Sequence, residues 1–346
     1  MTSVTDFGLA PKKPLLGAML ALAAVTFCIP AGASADEMKL ASSAIGRPPI
    51  FSNTFADVGE AMGYWKKAGL DVTFRWFQRG TDTAKSVVTG DVQVGYTATP
   101  VAVNLIAAGA PIVIVAGMPN QDWIIASDLP NVKECKDLKG QTVAADGINN
   151  SRWLFLKGEG ETCGLKLTDL TPIDLANAPL VKAGIAGQVH NAVFHVDELA
   201  QVEFKTKKKW HLIAIPDSLK KGLHYGSVLA SKKALADNHE AVVRFIEGWI
   251  ETQKLMSSTK PADLDEFAKI AAKAGSFDVE IAKSAIKEFQ AIPYWVNDDG
   301  LDEKQLMAQV DQMAKDGLIK GAKPTYDKLV DKTVYAEAQK RLATMK

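Results

Sequence analysis

Apolar and polar positions change their period several times along the chain, and each change marks an element. Lys39–Ile45 reads as a first strand. Phe55, Val58, Met62 and Trp65 then recur at helical spacing until Gly69 stops the run. Val72, Phe74 and Trp76 alternate with Thr73, Arg75 and Phe77, the period of two that a strand requires. A short helix over 82–89 ends at Gly90, Val92–Tyr96 is a third strand, and Thr97–Pro100 opens a helix that ends at Gly109. Pro111 precedes a buried strand, Ile112–Gly117. A second unit repeats the pattern. Gln141–Ala145 is a strand, a helix runs from near Ser151 to Gly164, and Leu170–Leu175 is the next strand. Pro179–Gly187 is a short helix, with strands at His190–Phe194, His211–Ile215 and Tyr225–Ala230, and amphipathic helices fill most of 238–343.

Strands alternating with helices imply parallel sheets and right-handed crossovers. The expected fold is therefore α/β with two lobes, each a mostly parallel sheet flanked by helices. Two short crossing segments, near Ile112–Trp123 and Lys221–Ala230, would form a hinge between them. Lobe I is expected to comprise 36–120 and 226–346, and lobe II 121–225.

Residues 1–35 read differently. Lys12 and Lys13 precede an uncharged, largely apolar run from Leu15 to Ile29, and Ala33-Ser34-Ala35 leads into Asp36-Glu37. A basic region, a short apolar core and an A-x-A site make an export signal peptide cleaved after Ala35. The run falls short of the ~20 residues that a bilayer span needs. Cys28 is flanked by bulky Phe27 and Ile29 and leaves with the leader. The expected location is the periplasm, where Cys135 and Cys163 are either paired or two buried thiols.

The 346 residues carry 40 basic and 40 acidic side chains, and removing Asp6, Lys12 and Lys13 with the leader leaves one acid in excess. Such neutrality argues against a nucleic-acid partner. At 47% hydrophobic and 23% charged, the chain is neither disordered nor fibrous.

Ligands of open parallel sheets sit outside the carboxyl ends of the strands, where helix N-termini also point. Those ends fall at Gly46–Thr54, Gln78–Asp82, Thr97–Pro100, Met118–Trp123, Asp146–Arg152, Ala176–Pro179 and His195–Glu198. Thr81, Thr97, Thr99 and Ser151 offer hydroxyls there, and Arg47, Arg79 and Arg152 offer guanidinium forks suited to carboxylate or sulfonate. Helix capping is the ordinary job for each Ser, Thr or Asn. Phe51, Trp123 and Trp295 are candidate walls for a flat ligand, with core packing as the alternative.

Four stretches carry a resemblance: GEAMGYWKKAGL (59–70) with Gly80-Thr81-Asp82; VVTGDVQVGYTATPV (87–101); AGAPIVIVAG (108–117); and KDLKGQTVAAD (136–146) together with DNHEAVVRFIEGW (237–249). In order and spacing the chain resembles the periplasmic substrate-binding proteins of ABC importers, in the nitrate/sulfonate/taurine and thiamine-precursor (pyrimidine) binding family. The resemblance implies a type II-like two-lobed fold that closes on a small-molecule ligand. It also implies delivery to a permease and its ATPase at the inner membrane, and a monomer with no cofactor. Ligand-binding residues implied or read from the loops are Arg47, Phe51, Asn53, Gln78, Thr81, Thr97, Thr99, Trp123, Asn149, Ser151, Arg152, His195 and Asp197. In the second lobe the chain has Gly187-Gln188-Val189-His190-Asn191-Ala192 where many members place Asp-Ala soon after glycine. Its Phe194–Glu198 stretch is closer to the branch that takes larger organic ligands.

The expected function is capture of a small organic anion, a carboxylate or sulfonate, aromatic ones included. The alternatives are a neutral heterocycle such as a pyrimidine vitamin precursor, or a secreted enzyme on the same fold. No G-x-S-x-G, H-E-x-x-H or G-x-x-x-x-G-K-[ST] motif occurs, which argues against an enzyme. His195 with Asp197 and Glu198 lacks the second His or Cys pair of a metal site, so no metal is expected. The basic run Lys205–Lys209 has no interleaved aromatics and reads as a solvated loop.

Overall fold

The computed structural model describes residues 38–45, 53–77, 79–118, 120–146, 151–175, 177–214, 224–291 and 294–344. Its elements up to the first crossing are β1 (Met38–Ile45), α1 (Phe55–Ala61), α2 (Tyr64–Lys67), β2 (Leu70–Phe77), α3 (Gly80–Thr89), β3 (Val94–Ala98), α4 (Thr99–Ala107) and β4 (Ile112–Met118). Then come β5 (Trp123–Ser127), β6 (Thr142–Ala145), α5 (Ser151–Thr162), β7 (Thr171–Asp174), α6 (Asn177–Ile185), β8 (Asn191–His195), α7 (Val196–Thr206) and β9 (His211–Ala214). After the return come β10 (Gly226–Ser231), α8 (Lys232–Asp237), α9 (His239–Met256), α10 (Pro261–Gly275), α11 (Val279–Ala291), α12 (Glu303–Lys315), α13 (Tyr326–Leu329) and α14 (Thr333–Thr344).

The strands form two five-stranded sheets, ordered β2-β1-β3-β10-β4 and β7-β6-β8-β5-β9. This is the two-lobed α/β architecture. In each sheet four strands share one direction and a single strand is reversed: β10 in the first, β5 in the second. The cause lies in the short crossing from β4. Only residues 119–122 separate it from β5, so the chain has no room to return to the far end of a sheet before starting a strand. β5 therefore begins beside the carboxyl end of β8, and β10, reached by the longer return over 215–225, likewise begins beside that of β4. Trp123 pairs with His195, the last residue of β8, and Gly226 pairs with Met118, the last of β4.

Two elements escape the periodicity. β5 is buried at every position, so WIIAS shows none of the alternation of a half-buried strand. α7 starts directly on the last residue of β8, with no turn residue between them. The one helix expected up to Gly69 is two, broken at Gly63, whose φ of 65° is the left-handed conformation that glycine adopts without cost.

Aromatic packing fixes α9 on the first sheet. The Trp65 indole N–H donates to the Phe245 carbonyl at 3.0 Å and its ring stacks on Phe245. A Cβ at Gly248 would lie 2.3 Å from the Trp65 ring, so the close approach needs glycine there. At the other end of the helical region, α11 packs against α7 of the second sheet. A disulfide joins Cys135 and Cys163, tying the turn Cys135–Leu138 to the chain just past α5. This settles the two cysteines in favour of the bridge. Among the described residues no helix is long and apolar enough to cross a membrane.

Candidate functional site

Because β5 starts where β8 ends, side chains 72 and 73 positions apart in sequence become partners. Both carboxylate oxygens of Asp122 lie 2.9 Å from Nδ1 of His195, and the Trp123 indole N–H donates to Nε2 of the same ring at 3.2 Å. The Trp123 donor needs an acceptor, so Nε2 carries no proton and Nδ1–H donates to Asp122. Burial pulls the His195 pKa down, but the Asp122 carboxylate outweighs it and leaves the group above its ordinary value.

Arg152 stands one turn into the same neighbourhood, from the start of α5. It forks onto Glu198 at 2.7 and 2.9 Å and donates to the Val193 carbonyl at 3.1 Å, with both side chains 2% exposed. Glu198 also accepts the His195 backbone N–H at 2.9 Å, closing the first turn of α7. Asp146 receives the backbone N–H groups of Arg152 and Trp153, and burial raises its pKa. Its Oδ1 has no hydrogen-bond partner among the described residues.

The first sheet and the return crossing complete the cluster with aromatic rings. Tyr225 sets its ring edge-on to Trp123 at 5.1 Å and 88°, and lies 6.4 Å from Tyr294. Tyr96, from β3, is buried beside the Tyr294 phenol. Burial first and Asp122 second push both Tyr96 and Tyr225 well above the usual phenol range, so each stays a neutral O–H. Buried Asn53, just before α1, and Gln253, on α9, each keep a carbonyl oxygen without a partner among the described residues. The Gln253 amide reaches the sulfur of Met118, the last residue of β4. The site thus presents aromatic faces, phenol hydroxyls and carbonyl or carboxylate acceptors.

The sequence expectations fare unevenly. Trp123, Arg152 and His195 come together, and Asp197 lies buried in the first turn of α7. Arg152 is not a bare guanidinium waiting for an anion; Glu198 already matches its charge. Thr97 donates to the Gly80 carbonyl at 2.8 Å, and Thr99 bridges His224 Nδ1 and Ser227 at 2.7 and 2.8 Å, so both hydroxyls hold the fold. Thr81 is exposed on α3, and Ser151 opens α5. Asn53 is buried just before α1. Arg47, Phe51, Gln78 and Asn149 lie outside the described residues, as does the leader. Trp295 packs on Phe267 and Phe289 and belongs to the core.

Asp122 and Asp146 lie in segments that the sequence marks as strand ends without singling them out, whereas Tyr96, Tyr225, Tyr294 and Gln253 are not marked as candidates and Glu198 is not read as the partner of Arg152. The Glu198 signal was present: a helix start with Glu at its third position, disguised because His195 is an unusual residue before a helix. The basic run 205–209 behaves as expected at its end: Lys208 pairs with Asp128, and Lys209 with Glu203.

Solved structures with the same fold include the nitrate-binding protein NrtA of Synechocystis PCC 6803, at 14% identity and a TM-score of 0.70, covering 88% of this chain and 89% of that one. The aliphatic sulphonate-binding protein SsuA of Escherichia coli matches at 17% identity and 0.66, over 84% and 91%. DszB, solved with biphenyl-2-sulfinic acid, matches at 10% and 0.60, over 88% and 99%. No curated protein matches the sequence. The family model described as NMT1/THI5 like matches residues 52–254, which run from the end of the first strand's loop through both sheets and into α9. With more than half of its length under that model, the chain belongs to the NMT1/THI5-like family.

Proposed function

We propose that the protein is an exported solute-binding protein that closes two lobes, 36–120 with 226–346 and 121–225, on a flat, hydrogen-bond-donating heteroaromatic solute. The carrying observation is the charge and chemistry of the cluster at the strand ends. Asp122 is hydrogen-bonded to His195 and Glu198 to Arg152, so both basic side chains there already have a carboxylate partner, and Asp146 and buried Asp197 add further acid beside them. An anion entering there meets acceptors and an acidic excess, whereas ring N–H and amino groups meet Asp146, Asn53 and Gln253 oxygens. Trp123, Tyr225 and Tyr96 supply faces and edges for stacking, on the order of 1 kcal/mol beyond burial. A substituted aminopyrimidine has this chemistry, and the acidic, acceptor-rich surroundings support it over the carboxylate or sulfonate favoured by the sequence. The solute would then pass to an ABC permease and its ATPase at the inner membrane, from a monomer in the periplasm. Release of an unaltered ligand, with no catalytic turnover, completes the reading.

The test is calorimetric titration of protein freed of co-purified ligand by unfolding and refolding. 4-Amino-5-hydroxymethyl-2-methylpyrimidine is expected to bind with micromolar or tighter affinity and to be recovered unchanged. Taurine, alkanesulfonates and nitrate are expected to give no heat of binding. Binding of a sulfonate without binding of the pyrimidine refutes the proposed ligand class.

A further inference from the structure

The hydrogen-bond chain Asp122–His195–Trp123 does more than fill space, because its last member is the ring that packs edge-on against Tyr225 at 5.1 Å beside the candidate site. Among the described residues the Trp123 indole N–H donates to Nε2, and its ring lies against those of Phe155, His195 and Tyr225. The direction of that bond depends on one proton. With Nε2 bare, the imidazole accepts from the indole N–H; with Nε2 protonated, two donors point at each other and the indole must turn away. We infer that His195 is a positioning residue that holds Trp123 as a wall of the ligand site only while its Nε2 is unprotonated, so that uptake of one proton from solvent releases the wall. The inference rests on the proposed ligand site for its functional consequence, though not for its geometry.

The groups that face His195 are Asp122 from the crossing, Arg152 from α5, Asp146 from the loop before it and Glu198 from α7. Asp122 and Glu198 favour the imidazolium, while Arg152 and burial oppose it. The balance falls upward, favouring the imidazolium relative to an ordinary imidazole. On uptake the Nδ1–H···carboxylate bond becomes an ion pair and the indole bond is lost. Above the transition the wall is held and ligand is retained; below it the wall is loose and ligand is released more readily.

His195→Gln separates position from protonation. A carboxamide can donate to Asp122 and accept from the indole, yet it does not titrate. The measurement is the 15N–1H shift of the Trp123 indole in ligand-free protein from pH 5 to 9, with Trp123→Phe identifying the resonance among the seven tryptophans. The wild type is expected to show a one-proton step in that shift, with the same midpoint as the His195 imidazole nitrogens, and His195→Gln is expected to show none. Across the step the affinity for 4-amino-5-hydroxymethyl-2-methylpyrimidine is expected to fall about fivefold in the wild type relative to His195→Gln, the worth of one hydrogen bond. His195→Ala should weaken binding at every pH. An indole resonance that stays fixed while the imidazole titrates, or a step that persists in His195→Gln, overturns the inference. Absence of pyrimidine binding at any pH removes the proposed ligand instead, and leaves the indole experiment to decide the positioning role alone.

Discussion

Glu198→Gln is the sharpest test of how the second lobe is held. The wild-type carboxylate takes two charge-assisted bonds from Arg152, at 2.7 and 2.9 Å, and one from the His195 backbone, in a site where both charged side chains are 2% exposed. Neutralising Glu198 leaves the guanidinium buried without its counter-charge, a change that costs about 3–5 kcal/mol when one partner of such a pair is removed. Total stabilities run at roughly 5–15 kcal/mol, so the variant should lose a large fraction of its margin. Urea unfolding followed by far-ultraviolet circular dichroism and tryptophan fluorescence measures it. Replacing both members, Arg152→Met with Glu198→Leu, should cost less than Glu198→Gln alone, because no charge is then stranded.

The pH dependence carries the same sign. Burial pushes Glu198 up, but Arg152 wins and holds it below the usual carboxylate range. A carboxyl lowered in the folded state contributes stability above its unfolded pKa and loses it as pH falls through the folded value. The wild type should therefore lose more stability than Glu198→Gln between pH 5 and strong acid. A Glu198→Gln variant within 1 kcal/mol of wild type at pH 7 refutes the reasoning. Arg152→Ala belongs to this experiment as well. Because Glu198 already takes up its charge, Arg152→Ala should lose stability before any effect on binding is seen.

Three further outcomes follow from other parts of the molecule. Cys135→Ser with Cys163→Ser opens a loop spanning 28 positions and should cost roughly 3.5 kcal/mol by chain entropy, read as a lower urea midpoint. His224, buried and lowered to about 4, accepts from Thr99 and donates to the Gly300 carbonyl as a neutral ring. Its unfolded form takes up a proton first, so stability should drop by about 3 kcal/mol as pH falls from roughly 6.5 to 4, and His224→Gln should flatten that slope. Glu240 is held down to about 2 by hydrogen bonds from Arg341 and Arg244. Its carboxyl carbon should titrate near that pH by NMR and move back towards 4.5 in Arg341→Ala, while the half-exposed network changes overall stability by no more than ~1 kcal/mol.

What the sequence could say about the fold is what local period can carry. Strands such as Val72–Trp76 and helices such as α9 announce themselves through spacing, and nine of the ten strands lie where the pattern puts them, within a residue or two at each end. β5 does not, although β4, β8 and β10 are buried as completely, because it follows β4 after four residues with no helix between them to mark a new strand. The site suffers from the same blindness at longer range. Trp123, Arg152 and His195 could be named from the rule that ligands sit at strand ends, but nothing local shows that Glu198 would spend the charge of Arg152, or that Thr99 would be tied to His224. Those facts depend on sheet order.

Sheet order in turn follows from the length of the crossing, and this links the fold to the ligand class. With only residues 119–122 between the sheets, β5 must begin at the open end, and Asp122 and Trp123 are delivered opposite His195. A longer crossing would permit β5 to run parallel with its neighbours, and Trp123 would then enter at the far end of the sheet, away from Tyr225. The acidic excess around the rings arises in the same way, since Asp122 comes from the crossing and Asp146 from the end of β6, neither of which carries a basic neighbour in sequence. A chain whose charges cancel overall can therefore build a locally acidic, aromatic pocket through topology alone. Under the proposed function, the preference for a donor-bearing ring over an anion would follow from the carboxylates that the first crossing, the end of β6 and the start of α7 place side by side.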